Sequence, residues 1–336
     1  MTVQEQIRSI SRELLSEGKV DLVIGYGAGT LPGTTAPVFI TNPDDADRLV
    51  WNQWCTNNLA LYAQRRFAEA KKSKDPRIAG QRIAVVTKKC DARALVELIR
   101  DKQIDRERLV VIGVPCSGML DKKKVQSLGG AKEIRSIEVK GADVIISGKD
   151  FEITGRRDDL LRDCCITCQD AASLPISDYM LSPDDDYVKP VVEDDFSDVR
   201  EYEEMSPQER WQAFKDEFKH CIRCYACRNA CPMCYCTECF ADCSQPRWIG
   251  GSVELKDVLF FQIMRILHQA GRCVDCGACA AACPMGLDIR KYTRSINRDA
   301  IELFGFEAGE IADEKPLLST FKPDDKQDFI TEPEKG

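Results

Sequence analysis

At 336 residues the chain is long enough for two domains with separate cores. Its 43% hydrophobic and 30% charged residues are those of an ordinary globular protein, and a formal net charge of -8 argues against nucleic acid as a main partner. Eighteen cysteines without a signal-peptide pattern point to a reducing, cytoplasmic setting, where thiols serve metals rather than disulfides.

The N-terminus opens with Thr2-x-x-Glu5, a capping box, and Val3, Ile7, Ile10 and Leu14 follow at helical spacing as far as Gly18. Val20–Ile24 reads as a buried strand. Gly25, Gly27 and Gly29 come next and are the candidate cofactor-binding residues. They are not a Rossmann fingerprint: Thr30 stands where its third glycine belongs, and Pro32 and Gly33 prevent a helix from opening. Two readings stay open, a looser glycine-rich loop over a flavin or nucleotide phosphate and an ordinary turn.

Val38–Thr41 is expected as a short strand, followed by a helix from Asn42-Pro43-Asp44. An aromatic-rich helical region should then cover Trp51, Trp54 and Leu59 to Phe67. Arg82–Thr87 and Leu109–Gly113 read as buried strands, with a helix through Ala94, Leu95, Leu98 and Ile99 between them. Val144–Ile146 and Phe151–Thr154 suggest a hairpin. Alternating strands and helices over 1–180 predict an α/β domain.

Cys90 and Cys116 each fall just past the C-terminal end of a predicted strand, where open α/β sheets place their sites. Cys164-Cys165-Ile-Thr-Cys168 adds a C-x2-C. By spacing alone, Cys90, Cys116, Cys165 and Cys168 are either a metal site or buried structural cysteines.

The phrases KKCDARAL, VPCSGML and CITCQDAASLPISD, with EGKVDLVIG and WNQWCTNNLALYAQ before them, resemble the beta subunits of deazaflavin-dependent hydrogenases and dehydrogenases, formate dehydrogenases among them. The resemblance covers residues 4–180. It implies a [4Fe–4S] cluster on Cys90, Cys116, Cys165 and Cys168 and an FAD nearby that passes electrons between a hydride carrier and the clusters. Many members carry a two-cluster ferredoxin segment ahead of this domain, whereas here such a segment follows it.

That segment is announced by two matching runs. CIRCYACRNACP contains Cys221, Cys224, Cys227 and Cys231; CVDCGACAAACP contains Cys273, Cys276, Cys279 and Cys283. Each is C-x2-C-x2-C-x3-C-P, by which bacterial-type ferredoxins hold two [4Fe–4S] clusters, the fourth cysteine of each run reaching across to the other cluster. Cys221, Cys224, Cys227 and Cys283 are therefore assigned to one cluster, and Cys273, Cys276, Cys279 and Cys231 to the other. Zinc is the alternative for thiolate quartets, but zinc sites use paired C-x2-C knuckles without the third cysteine and the C-x3-C-P ending.

Cys234, Cys236, Cys239 and Cys243 extend the first run. They leave three readings: a further cluster or zinc ion, alternative corners for the first cluster, or free thiols. His220 and His268 read as solvated or capping residues. An amphipathic helix is expected over Val253–Gln269; its apolar stretch Val258–Leu267 is interrupted by Gln262 and Arg265, so nothing here inserts directly into a bilayer. Residues 183–205 are acidic and read as a solvated linker or a docking surface. A capping box at Ser206-Pro-Gln-Glu209 starts the next helix.

The expected architecture is an α/β domain over 1–180, an acidic linker over 181–205, a small α+β two-cluster ferredoxin-like domain with flanking helices over 206–305, and a polar C-terminal arm over 306–336. The expected function is an iron–sulfur, FAD-containing electron-transfer subunit of an anaerobic oxidoreductase of hydrogenase, formate dehydrogenase or heterodisulfide-reductase type. Other redox subunits would be its partners, with a soluble ferredoxin or a hydride carrier as exchange partner. The alternative is a flavin-free iron–sulfur wire with no substrate site of its own. No catalytic acid–base pair or nucleophile is identified.

Overall fold

The computed structural model describes residues 1–130, 132–184, 187 and 196–317. Residues 185, 186 and 188–195 of the acidic stretch and the tail from 318 onward lie outside the described residues.

Helix α1 (Val3–Ser16) is capped by Thr2, whose hydroxyl accepts from the Glu5 amide while Glu5 reaches back to the Thr2 amide, and it buries Val3, Ile7 and Leu14. Strands β1 (Leu22–Ala28) and β2 (Thr35–Ile40) form an antiparallel pair. A 3-10 turn at Pro43–Arg48, capped by Asn42, replaces the helix expected there. Trp51 and Trp54 lie in loops, and α2 (Ala60–Lys72) begins only beyond them. After the single turn α3 (Pro76–Ala79) come β3 (Ile83–Thr87), α4 (Lys89–Arg100) and β4 (Leu109–Gly113), the βαβ unit that the hydrophobic pattern predicted.

The principal sheet has the order β2-β1-β3-β4-β8, with β8 (Tyr179–Met180) as a short edge. Its interior pairs β1/β3 and β3/β4 are parallel. Burial on both faces explains why β3 is uniformly apolar up to its final threonine. Each fully buried Val or Ile there contributes about 1.5–3 kcal/mol relative to exposure.

Helix α5 (Lys122–Gly129) leads into a separate antiparallel sheet of β5 (Ser136–Lys140), β6 (Asp143–Ser147) and β7 (Glu152–Arg156). The expected hairpin is β6–β7. The additional strand β5 is half exposed on both ends of its alternation, and its signal Ser-Ile-Glu-Val-Lys is brief. The turn α6 (Asp163–Ile166) then delivers Cys164 and Cys165.

From α7 (Ser197–Glu203) onward every described element is helical: α8 (Pro207–Phe218), α9 (Ala226–Asn229), α10 (Leu255–Leu267), α11 (Ala278–Ala282) and α12 (Ile289–Phe304). The strands expected of an α+β unit over 206–305 are absent among the described residues. Helices supply the packing instead: Phe214, Phe218, Val258, Leu259, Ile266, Leu287 and Ile289 form a second core around Cys227 and Cys283.

The two parts are not beads on a linker. Met233, Val274, Phe306 and Ala308 belong to the core of the principal sheet. The start of the segment expected as a polar C-terminal arm docks on α4. Lys89 Nζ meets Glu310 at 2.8 Å, and Arg93 Nε donates to the Ala308 carbonyl at 2.9 Å.

Candidate metal centres and an adjoining cleft

Both four-cysteine runs fold into the same loop. In the first, Arg223 and Tyr225 take left-handed backbone angles, φ 49 and 60; in the second, Asp275 and Gly277 do so at the equivalent positions, φ 52 and 66. Three of these are not glycine, and a left-handed conformation there costs energy that the surrounding structure must over-determine. The bends turn consecutive thiols inward.

Cys221, Cys224 and Cys227 line one small cavity together with Cys283 from the other run. Cys273, Cys276 and Cys279 line a second, together with Cys231 from the first run. The crossed grouping read from the sequence is thus the grouping the fold brings together. Amides point at the sulfurs: Arg223 N to Cys221 Sγ and Leu287 N to Cys283 Sγ, each at 3.4 Å.

Cys90, Cys116, Cys165 and Cys168 line a third cavity of about 240 Å3. Cys90 sits in the first turn of α4 just after β3, Cys116 just after β4, Cys165 in α6 and Cys168 just past it. Gly118 N and Met119 N donate to Cys116 Sγ and Cys165 Sγ at 3.4 Å. The opposite wall carries Cys273 and Cys276, so the third cavity adjoins the second. Arg162 Nη2 donates to the Gly277 carbonyl at 3.0 Å and Cys164 Sγ to the Cys276 carbonyl at 3.4 Å, tying the two ligand loops together.

Behind Cys90 lies a buried polar knot. Lys88 Nζ is 2.9 Å from Asp91 and hydrogen-bonds to Tyr26, and Asp91 accepts the Leu59 amide. Burial works against the Lys88 ammonium, but Asp91 and Tyr26 more than offset it and hold the proton on. This pair fixes the start of α4 and with it Cys90.

Among the described residues no three Cys, His, Asp or Glu side chains close on a point that would hold a single metal ion. The quartets surround cavities. Burial pushes the thiols of Cys90, Cys116 and Cys276 upward, and those of Cys168 and Cys279 up to about 12. Thiolates in such places need positive charge, which a metal cluster or a nearby cation provides. Four thiols around each cavity and N–H groups aimed at sulfur fit a [4Fe–4S] cluster in its donor chemistry.

The remaining candidates are placed differently. Gly25 and Gly27 lie buried inside β1, not in a loop; a side chain at Gly25 would strike Leu49 and one at Gly27 would strike Val38. Gly29 begins the turn and packs on Thr34. Close strand packing accounts for these glycines, which corrects the phosphate-loop reading of their conformation. Cys234, Cys236, Cys239 and Cys243 line none of the three cavities; Cys236 is exposed, and Cys243 Sγ donates to the Cys239 carbonyl at 3.5 Å. Cys55 is an ordinary buried thiol, pushed up to about 12 by burial.

A wider cleft of about 480 Å3 runs between the two parts. Gly33, Thr34, Thr35 and Trp54 line one side, and Lys122, Lys123 and Lys124 another. Cys164, Arg162 and Gly277 form its inner end, beside the third and second cavities. Neither the Thr34-Thr35 turn nor the lysines of α5 stood out in the sequence, because only the fold brings them together.

No family model matches the chain. Its sequence is, however, similar to formate dehydrogenase beta subunits along nearly its whole length. It is 26% identical to the F420-dependent formate dehydrogenase subunit beta of Methanocaldococcus jannaschii, with 93% of each chain covered. It is 22% identical to the F420-dependent formate dehydrogenase 1 subunit beta of Methanococcus maripaludis, covering 92% of this chain and 91% of that protein. The resemblance noted over 4–180 is borne out, and it extends well beyond that range. Among solved structures, a chain of the F420-reducing [NiFe] hydrogenase complex from Methanosarcina barkeri matches at a TM-score of 0.37 and 16% identity, over 49% of this chain and 59% of that one. That likeness is too slight to define the fold.

Proposed function

We propose that this chain is the iron–sulfur, FAD-containing electron-transfer subunit of a multi-subunit oxidoreductase of the formate dehydrogenase or hydrogenase type, as its curated relatives are beta subunits of F420-dependent formate dehydrogenases. The observation that carries the reading is the succession of thiol-lined cavities: Cys90/Cys116/Cys165/Cys168 abuts Cys231/Cys273/Cys276/Cys279, whose run crosses with Cys221/Cys224/Cys227/Cys283. When bound, [4Fe–4S] clusters supply one-electron carriers and a flavin converts between hydride and single electrons.

This chain's residues hold and insulate that chemistry. The three cysteine quartets are the ligands. Amides at Arg223, Leu287, Gly118 and Met119 donate to sulfur and favour the charged ligand. Lys122, Lys123 and Lys124 with Thr34 and Thr35 line the cleft where the phosphates of FAD would sit. Trp54, on the same cleft, offers a flat apolar surface. The hydride carrier and the remaining redox subunits are the expected partners. Among the described residues no helix is long and apolar enough to cross a membrane.

A flavin-free wire is the second reading, favoured by the burial of Gly25 and Gly27 within a strand. One preparation separates the two: the complex purified without oxygen, with iron and flavin counted per chain. Roughly twelve irons and one flavin assigned to this subunit support the first reading; the same iron without flavin supports the second. Cys165→Ser with Cys168→Ser should lower the iron by about four, and an unchanged count would remove the third cluster.

A further inference from the structure

The long insertion between the cysteine runs carries α10, and α10 carries a buried polar row. Gln262 and Arg265 on its otherwise apolar face, and Gln269 in the turn just past its end, are exposed by only 1%, 4% and 4%. All three reach the thiol loops. Gln262 Nε2 donates to Cys221 Sγ at 3.5 Å, Gln269 Nε2 is 3.7 Å from Cys234 Sγ, and Cys231 Sγ is 3.6 Å from Gln269 Oε1. Arg265 sits between them. Its Nη2 donates to the Cys227 carbonyl at 3.1 Å, while its Nε and Nη1 are buried with no partner.

A buried guanidinium with two unmet donors is costly unless something negative receives them. Among the described residues no carboxylate does so, whereas Arg228, Arg272, Arg290, Arg294 and Arg298 in this part are each held by an aspartate or glutamate. Arg265 instead lines the cavity of Cys231, Cys273, Cys276 and Cys279. Burial works against its charge, and the thiols of both quartets, Cys279, Cys227 and Cys231 among them, favour it. The equivalent cavity around Cys221 has Arg223, but both its terminal nitrogens are spent on the carbonyls of Gly250 and Ser252 and on the Tyr225 hydroxyl, which leaves only its Nε without a partner.

We propose that Arg265 is the fixed counter-charge of the cluster held by Cys231, Cys273, Cys276 and Cys279, donating to its sulfurs and raising its reduction potential above that of the cluster on Cys221, Cys224, Cys227 and Cys283. The proposal rests on the cluster reading above. One electron added to a cluster adds one negative charge, and a buried cation that cannot move away stabilises that reduced form in a low-dielectric site. The neutral amides of Gln262 and Gln269 donate at the flanks without adding charge. The cluster beside Arg265, adjoining the third cavity, is then the place where electrons settle between the sheet domain and the outer cluster.

The test is a mediator-poised redox titration of the anaerobically purified complex, followed by electron paramagnetic resonance, on wild type, Arg265→Gln and Arg265→Lys. The expected result is that one [4Fe–4S] signal moves to clearly lower potential in Arg265→Gln, the other holds, and Arg265→Lys stays close to wild type. Unmoved potentials in Arg265→Gln with full iron would overturn the proposal. If Arg265→Gln loses iron, Arg265→Lys decides: retained iron with a near-native potential supports the charge, and equal loss from both makes Arg265 a packing residue and overturns it. Absence of any [4Fe–4S] signal in the wild-type complex would instead overturn the cluster reading.

Discussion

The loops 221–231 and 273–283 have the same spacing and the same pair of left-handed bends, yet they occupy different surroundings. The first lies at the rim of the helical part: Cys224 is exposed, and Ile222 and Met285 beside it are 51% and 44% exposed. The second is enclosed, with Cys276 facing the sheet domain across a cavity. Equal ligands in unequal environments do not give equal potentials, because hydrogen bonds and solvent exposure set them. On the proposed reading, a cluster at the rim would suit exchange with a partner, and an enclosed one would suit relay.

The crossing of the runs is the most consequential point to break. Cys283→Ser should cost about four irons and erase the rim cluster, although Cys283 belongs to the enclosed run; Cys231→Ser should erase the enclosed one. Spectra of the two variants check this, and loss of the enclosed cluster in Cys283→Ser would refute the crossing. Asp91→Asn leaves Lys88 buried without its partner and should destabilise the sheet domain by about 3–5 kcal/mol. Denaturant unfolding followed through the tryptophans measures it.

A smaller effect distinguishes the two bends. Tyr225 shows that the loop accepts a side chain at the second bend, but at Gly277 a Cβ would come within 2.7 Å of Cys164 Sγ. Gly277→Ala should therefore cost about 1–3 kcal/mol and weaken iron retention at the enclosed site alone, whereas Tyr225→Gly should leave iron in place. Iron content after mild heating compares them.

The smallest effect concerns α7, whose Glu203 is gripped by Arg298 at 2.5 Å. The Arg298 hydrogen bonds hold this carboxylate below its usual range. A depressed carboxylate contributes stability above its unfolded value, and that contribution disappears as pH falls through the folded one. After allowance for solvent screening it amounts to about 0.2–1 kcal/mol. Glu203→Gln should lower stability at neutral pH by that amount, leave low pH nearly unchanged, and so flatten the acid limb of the stability profile.

Much of this was legible because it is local. The capping boxes at Thr2 and Ser206, the β3 and β4 strands and the grouping of Cys283 with Cys221 follow from neighbours in sequence and from ligand chemistry. Gly25 and Gly27 misled because the same residue serves a phosphate loop and a tight strand crossing, and only Leu49 and Val38, far along the chain, decide between them. Arg265 read as a mere interruption of an apolar helix. Its meaning depends on which loops α10 lies against, and sequence spacing does not carry that.

The docking of Phe306 and Ala308 against the sheet core has a topological consequence. The helical part leaves the sheet domain after Leu181 and returns to it through the Glu307 and Glu310 bridges to α4. It is a closed excursion anchored at both ends, not a pendant module. A protease cut between Ser182 and Phe196 should therefore leave two fragments that still travel together, and the spacing between the enclosed site and the Cys90 site should survive the break in the chain.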